Sequence, residues 1–186
     1  MKLFYLITLS VLTLMISCKK SGKDVELQKE IAEFKKKRID FNIGATPRFF
    51  SANTVSKKVF NSKDYRGKYL LLLVYEHGYF GDNPDSNYDI ESDLNSIYEK
   101  YKDKVSIIGI IEGYKESKKI DAETAEPQFQ FDQIDNTQNP EKKTQFDTNI
   151  WCTPAKILIG PDGKVIINSC GGGAHEKLVS ELEKIK

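Results

Sequence analysis

Whatever thiol chemistry this sequence offers rests on three cysteines, Cys18, Cys152 and Cys170. Cys152 stands two residues before Pro154, and Cys170 closes the run that follows Gly160-Pro161-Asp162-Gly163. That Gly, Pro and Asp segment lies between the apolar runs 156–159 and 164–168, which is the chemistry of a β-hairpin. If Ile159 pairs with Lys164, antiparallel pairing carried back sets Thr153 opposite Cys170 and leaves Cys152 one position away. Bridged cysteines need Cα atoms ~4.4–6.8 Å apart, a condition this arrangement nearly meets. Three readings stay open: a structural disulfide, two inert thiols, or a relocated redox site working as a pair or through Cys152 alone.

Other groups could do chemistry of a different kind. Glu76, His77, Asp82, Asp85 and Asp89 form a stretch of potential metal ligands, oxygen-rich with one imidazole. Their spacing fits no dedicated site, and Asp82-Asn83-Pro84-Asp85 is ordinary turn chemistry, so no metal or other cofactor is expected. His77 and His175 have acid–base capacity, but no nucleophile pairs with either by sequence. Gly171-Gly172-Gly173 before the last helix could bring backbone N–H groups to an anion, although a strand-to-helix turn explains it as well. Tyr75, Tyr79, Phe80 and Tyr88 could leave aromatic surface suited to a peptide or protein, with some of them in the core.

The N-terminus reads as an export signal. Lys2 is followed by an almost wholly apolar stretch over 3–16, shorter than the ~20 residues of a membrane span and suited to a signal h-region. Met15-Ile16-Ser17-Cys18 resembles a bacterial lipobox, which implies cleavage before Cys18 and a lipid on it. The expected organisation is therefore a signal peptide over 1–17, a lipid-anchored tether and spacer helix over 18–41, and one globular domain over 42–186. The expected location is the cell envelope, on a membrane and facing the periplasm or exterior. The chain carries 28 Lys+Arg and 27 Asp+Glu, and loss of Lys2 balances the two, so no electrostatic footprint for nucleic acid exists.

These groups need elements to hold them. Leu27, Ile31 and Phe34 recur at helical spacing within 24–38, the pattern of a spacer helix that partly docks. Phe49-Phe50 and Val59-Phe60 are short strand candidates. Residues 69–75 and 105–111 are nearly unbroken apolar runs, as in strands buried on both faces. Ile90, Leu94, Ile97 and Tyr101 stripe a helix over 86–101. Phe129 to Phe131 reads as a short strand, 140–146 as a helix, and 176–185 as a closing amphipathic helix. This order predicts an α/β fold, a mixed sheet with helices on both faces.

In order along the chain, Gly44-Ala45-Thr46-Pro47-Arg48-Phe49, then Gly67-Lys68-Tyr69-Leu70-Leu71-Leu72, then Thr153-Pro154 with the following hairpin, resemble the thioredoxin-like superfamily. The nearest branch is that of TlpA-like thiol-disulfide reductases and alkyl hydroperoxide reductases (redoxins). The resemblance implies a thioredoxin-like fold over about 42–186, a cis peptide at Pro154, and an active site after the first central strand. Members carry Cys-x-x-Cys or a peroxidatic Cys there, at a helix N-terminus that stabilises the thiolate. Here that region, 75–87, holds no cysteine, so disulfide exchange lacks its attacking thiolate. The expectation is a membrane-anchored, degenerate member that binds a protein or peptide at the former active-site loop. The alternatives are a thiol-disulfide oxidoreductase using Cys152 and Cys170, or a metal-handling module.

Overall fold

A computed structural model of the chain describes residues 22–76, 90–114, 129–171 and 175–185. The chain divides into two compact units, Met1–Lys37 and Arg38–Lys186. In the first, α1 spans Gly22–Lys37. Leu27 and Ile31, two residues of its apolar stripe, are exposed. Cys18 and the signal segment lie outside the described residues. No described helix is long and apolar enough to cross a membrane.

The second unit is built on a five-stranded mixed sheet. Its strands are β3 (Leu70–Glu76), β4 (Ser106–Glu112), β5 (Gln133–Asp135), β6 (Ala155–Ile159) and β7 (Val165–Cys170), in the spatial order β5-β4-β3-β6-β7. β3, β4 and β5 run parallel, and β6 and β7 are antiparallel to their neighbours. A separate hairpin pairs β1 (Ser51–Asn53), which begins just after the expected Phe49-Phe50, with β2 (Val59–Asn61), which contains the expected Val59-Phe60. Helix α2 spans Ile90–Tyr101 and α3 spans His175–Glu183.

The alternation of β3 sorts the core into two layers, because successive side chains point to opposite faces. Leu71, Leu73 and Tyr75 meet Leu94, Ile97 and Tyr101 of α2 together with Leu178, Leu182 and Ile185 at the C-terminus. Each such side chain contributes roughly 1.5–3 kcal/mol when fully buried. Leu70, Leu72 and Val74 meet Phe50, Phe60 and Phe146, with Ile39 and Phe41.

The sheet is mixed and flanked by helices, as expected; among the described residues, α2 and α3 of this unit pack on one face, and the β1–β2 hairpin with irregular chain packs on the other. Residues 140–146 form no helix. The buried amide of Asn136 organises them instead: its Oδ1 accepts from the backbone N–H of Gln145 and Phe146, and its Nδ2 donates to the Phe146 carbonyl. Phe129 and Phe131 form no strand. They stack at a 4.9 Å centroid distance, pack into the helix-covered layer, and the strand begins at Gln133. Ile39 and Phe41, expected in the spacer, are 0% exposed.

The hairpin register also differs from expectation. Gly160 N–H donates to the Lys164 carbonyl at 2.8 Å, closing a three-residue loop with Gly163 at φ +81°, the geometry that favours glycine. Ile159 therefore faces Val165. A bulge between Leu158 and Ile159 shifts the ladder again, so Ala155, not Thr153, faces Cys170.

Candidate functional site

The parallel pairing of β3 and β4 sets Glu76 directly across from Glu112, each the last residue of its strand. Both carboxylates thus stand at the carboxyl edge of the sheet, where ligands bind in open α/β sheets. Gly113 follows with φ +95°, and a Cβ there would come within 2.7 Å of Glu76 Cγ. The glycine is what lets the chain turn away while the Glu76 stem occupies that space.

A second segment closes the site from the side. Asn149 fixes it: Oδ1 accepts from Phe41 N–H and Nδ2 donates to Asp40 Oδ1, each at 2.8 Å. Residues 150–154 then run toward β6. Thr153 Oγ1 donates to Glu76 Oε2 at 3.2 Å, Thr153–Pro154 is cis, and Gly171 N–H donates to the Pro154 carbonyl at 2.9 Å. Cys152 and Cys170 are joined in a disulfide, with Cα atoms 5.9 Å apart. The bond forms although the ladder sets Ala155 opposite Cys170, because the chain leaves the ladder at Pro154 and brings Cys152 back alongside.

Glu76, Glu112, Gly113, Ile150, Trp151, Cys152 and Thr153 line an open cleft of about 590 Å³. Trp151 is 87% exposed. Glu112 is half-buried, and the Asn136 amide donates to its Oε1 at 3.1 Å. Burial pushes its carboxyl up to about 7; the amide bond pulls it back and the nearby Asp147 charge raises it further. At neutral pH the group is poised between its two forms.

A parallel β3–β4–β5 set, an antiparallel β6–β7 hairpin, a cis-proline leading into β6 and a closing helix are now in place. Several solved structures match this fold. A candidate protein disulfide isomerase from Bacteroides thetaiotaomicron matches at TM-score 0.54 and 18% identity, over 77% of this chain and 89% of that one. A candidate thiol:disulfide interchange protein DsbE from Chlorobium tepidum matches at 0.53 and 17%, over 77% and 97%. The thioredoxin domain of a thiol-disulfide oxidoreductase from Bacteroides vulgatus matches at 0.50 and 17%, over 75% and 96%. The fold is thioredoxin-like. No protein-family description and no curated protein sequence matches the chain.

On this thioredoxin-like frame the structure brings together Cys152, Cys170, Pro154 and Glu76. His77, Asp82, Asp85, Asp89, Tyr79, Phe80 and Tyr88 lie outside the described residues, as do Gly172 and Gly173. Tyr75, a candidate for recognition surface, is instead 2% exposed, donates its hydroxyl to Gln133 Oε1 and packs on Phe129. His175 sits at the start of α3, its Nδ1 2.8 Å from Asp93 Oδ1.

Sequence reading missed three residues. Trp151 and Glu112 carried no local signal beyond their types. Lys156 did carry one, as a lone lysine inside an apolar strand run: it is 1% exposed and pairs with Asp93 Oδ2 at 2.6 Å.

Proposed function

We propose that this chain is a lipid-anchored, thioredoxin-like protein of the bacterial envelope that binds a protein or peptide partner at the cleft beside Pro154, with Cys152–Cys170 as a structural brace. The observation that carries the reading is the cleft itself: an open concavity at the carboxyl edge of the sheet, next to an exposed Trp151. Trp is enriched among residues that dominate binding energy. The absence of any cysteine from 75–87 removes the thiolate that exchange at that position would need. Lipid attachment rests on Met15-Ile16-Ser17-Cys18, and fatty-acid labelling of the expressed protein that is lost in Cys18→Ala tests it.

A second reading has its own support. Cys152 is only half-buried and lines the cleft, so a partner thiolate could reach its sulfur. The reduction potential of the Cys152–Cys170 pair separates the two. A value below about −300 mV belongs to a structural bridge, whereas one between roughly −120 and −270 mV belongs to an exchange enzyme.

A further inference from the structure

Among the described residues the cleft is acidic, and no Lys or Arg lines it. Among the described residues, neither Glu76 nor Glu112 has an ion-pair partner; their hydrogen bonds come from the neutral Thr153 hydroxyl and Asn136 amide. Elsewhere in the unit carboxylates meet cations, as Asp135 does with Lys142 at 2.8 Å and Asp93 with Lys156 at 2.6 Å. A half-buried carboxylate is unfavourable in its charged form unless a cation joins it, and a cation seated beside Glu112 and Glu76 would favour that form. Beside them stands the ring of Trp151, 87% exposed, the aromatic surface on which a cation is held most strongly. At about 590 Å³ the cleft exceeds the volume of one basic side chain and has room for flanking backbone.

We propose that the cleft recognises an extended peptide segment through a lysine or arginine side chain, seated between Glu76 and Glu112 and covered by the ring of Trp151. This rests on the binding reading above. Charge complementarity selects the basic side chain, Gly113 supplies the space that Glu76 occupies, and the Cys152–Cys170 bond holds the segment that presents Trp151.

Trp151 is the single tryptophan of the chain, so its fluorescence reports the cleft directly. The full chain is titrated with three short capped peptides, alternating alanine with lysine, glutamate or glutamine. A saturable change with the lysine peptide alone, weakened roughly tenfold or more in Glu76→Gln/Glu112→Gln, supports the proposal. Both substitutions are near-isosteric and keep an acceptor for Thr153, and a circular dichroism spectrum matching the parent shows that the fold is kept. Equal response to all three peptides, or to parent and double variant, overturns the basic-side-chain inference and leaves the binding reading standing. No saturable response to any peptide overturns both.

Discussion

Lys156 Nζ lies 2.6 Å from Asp93 Oδ2, and the lysine side chain is 1% exposed. The pair ties the central strand β6 to the first turns of α2, and His175 Nδ1, 2.8 Å from Asp93 Oδ1, brings the start of α3 to the same carboxylate. A buried ion pair adds little net stability, but removing one partner strands the other in a low dielectric.

Asp93→Ala should therefore destabilise the domain by about 3–5 kcal/mol, read as a lowered urea midpoint. Asp93→Leu/Lys156→Met replaces both charges with apolar groups and should recover most of that loss. A double variant no more stable than Asp93→Ala would show that the pair is not the source of the effect.

Glu112 gives stability a pH dependence. Its carboxyl titrates near 4.5 in the unfolded chain and at about 7 when folded. Between those values the folded state binds more protons than the unfolded, so stability falls as pH rises through the window and the loss is complete above it. Its size is on the order of 3 kcal/mol at most. Glu112→Gln should match the parent near pH 4, exceed its stability at pH 8, and flatten the profile between. Asp147→Asn should move the Glu112 midpoint downward, because it removes a like charge, and carboxyl NMR titration reads both effects.

The disulfide joins residues 18 apart in sequence, and a bridge closing a loop of that size contributes about 3 kcal/mol, mainly by restricting the unfolded chain. Cys152→Ser/Cys170→Ser should lower unfolding free energy by that order. Parent protein in strong reductant should fall to the same midpoint. If the variant and the reduced parent unfold where the oxidised parent does, the bond is not a brace.

Gly113 and Gly44 both have positive φ, +95° and +83°, but only Gly113 has a close neighbour where a Cβ would stand, Glu76 Cγ at 2.7 Å. Gly44→Ala should cost about 1 kcal/mol for conformation alone. Gly113→Ala should cost roughly 2–3 kcal/mol and also weaken the lysine peptide by displacing Glu76. Equal thermal shifts in the two variants would contradict this account.

The central strands were legible because burial on both faces demands unbroken apolar runs. β3, expected over 69–75, is Leu70–Glu76, and β4, expected over 105–111, is Ser106–Glu112. The stripe Leu94, Ile97 and Tyr101 is buried as its spacing required. Residues 140–146 misled because their partner is remote: the Asn136 side chain takes the backbone bonds a helix would have made internally. Phe129 and Phe131 have strand-forming side chains, yet ring packing placed them ahead of the ladder rather than in it.

The sequence by itself determined the central strands β3 and β4, the buried stripe of α2 and the hairpin chemistry of Gly160-Pro161-Asp162-Gly163. It also determined that the 75–87 region has no thiolate to offer. Those properties are local, set by periodicity, turn geometry and residue type. Only the tertiary structure decided that Glu76 faces Glu112, that Asp93 satisfies Lys156, and that Cys152 reaches Cys170 across a register that should have paired Thr153 there. Each of these joins residues distant in sequence through strand register or helix docking. A one-residue change in a loop or a bulge moves every such partner at once, and that information resides in no single segment of the chain.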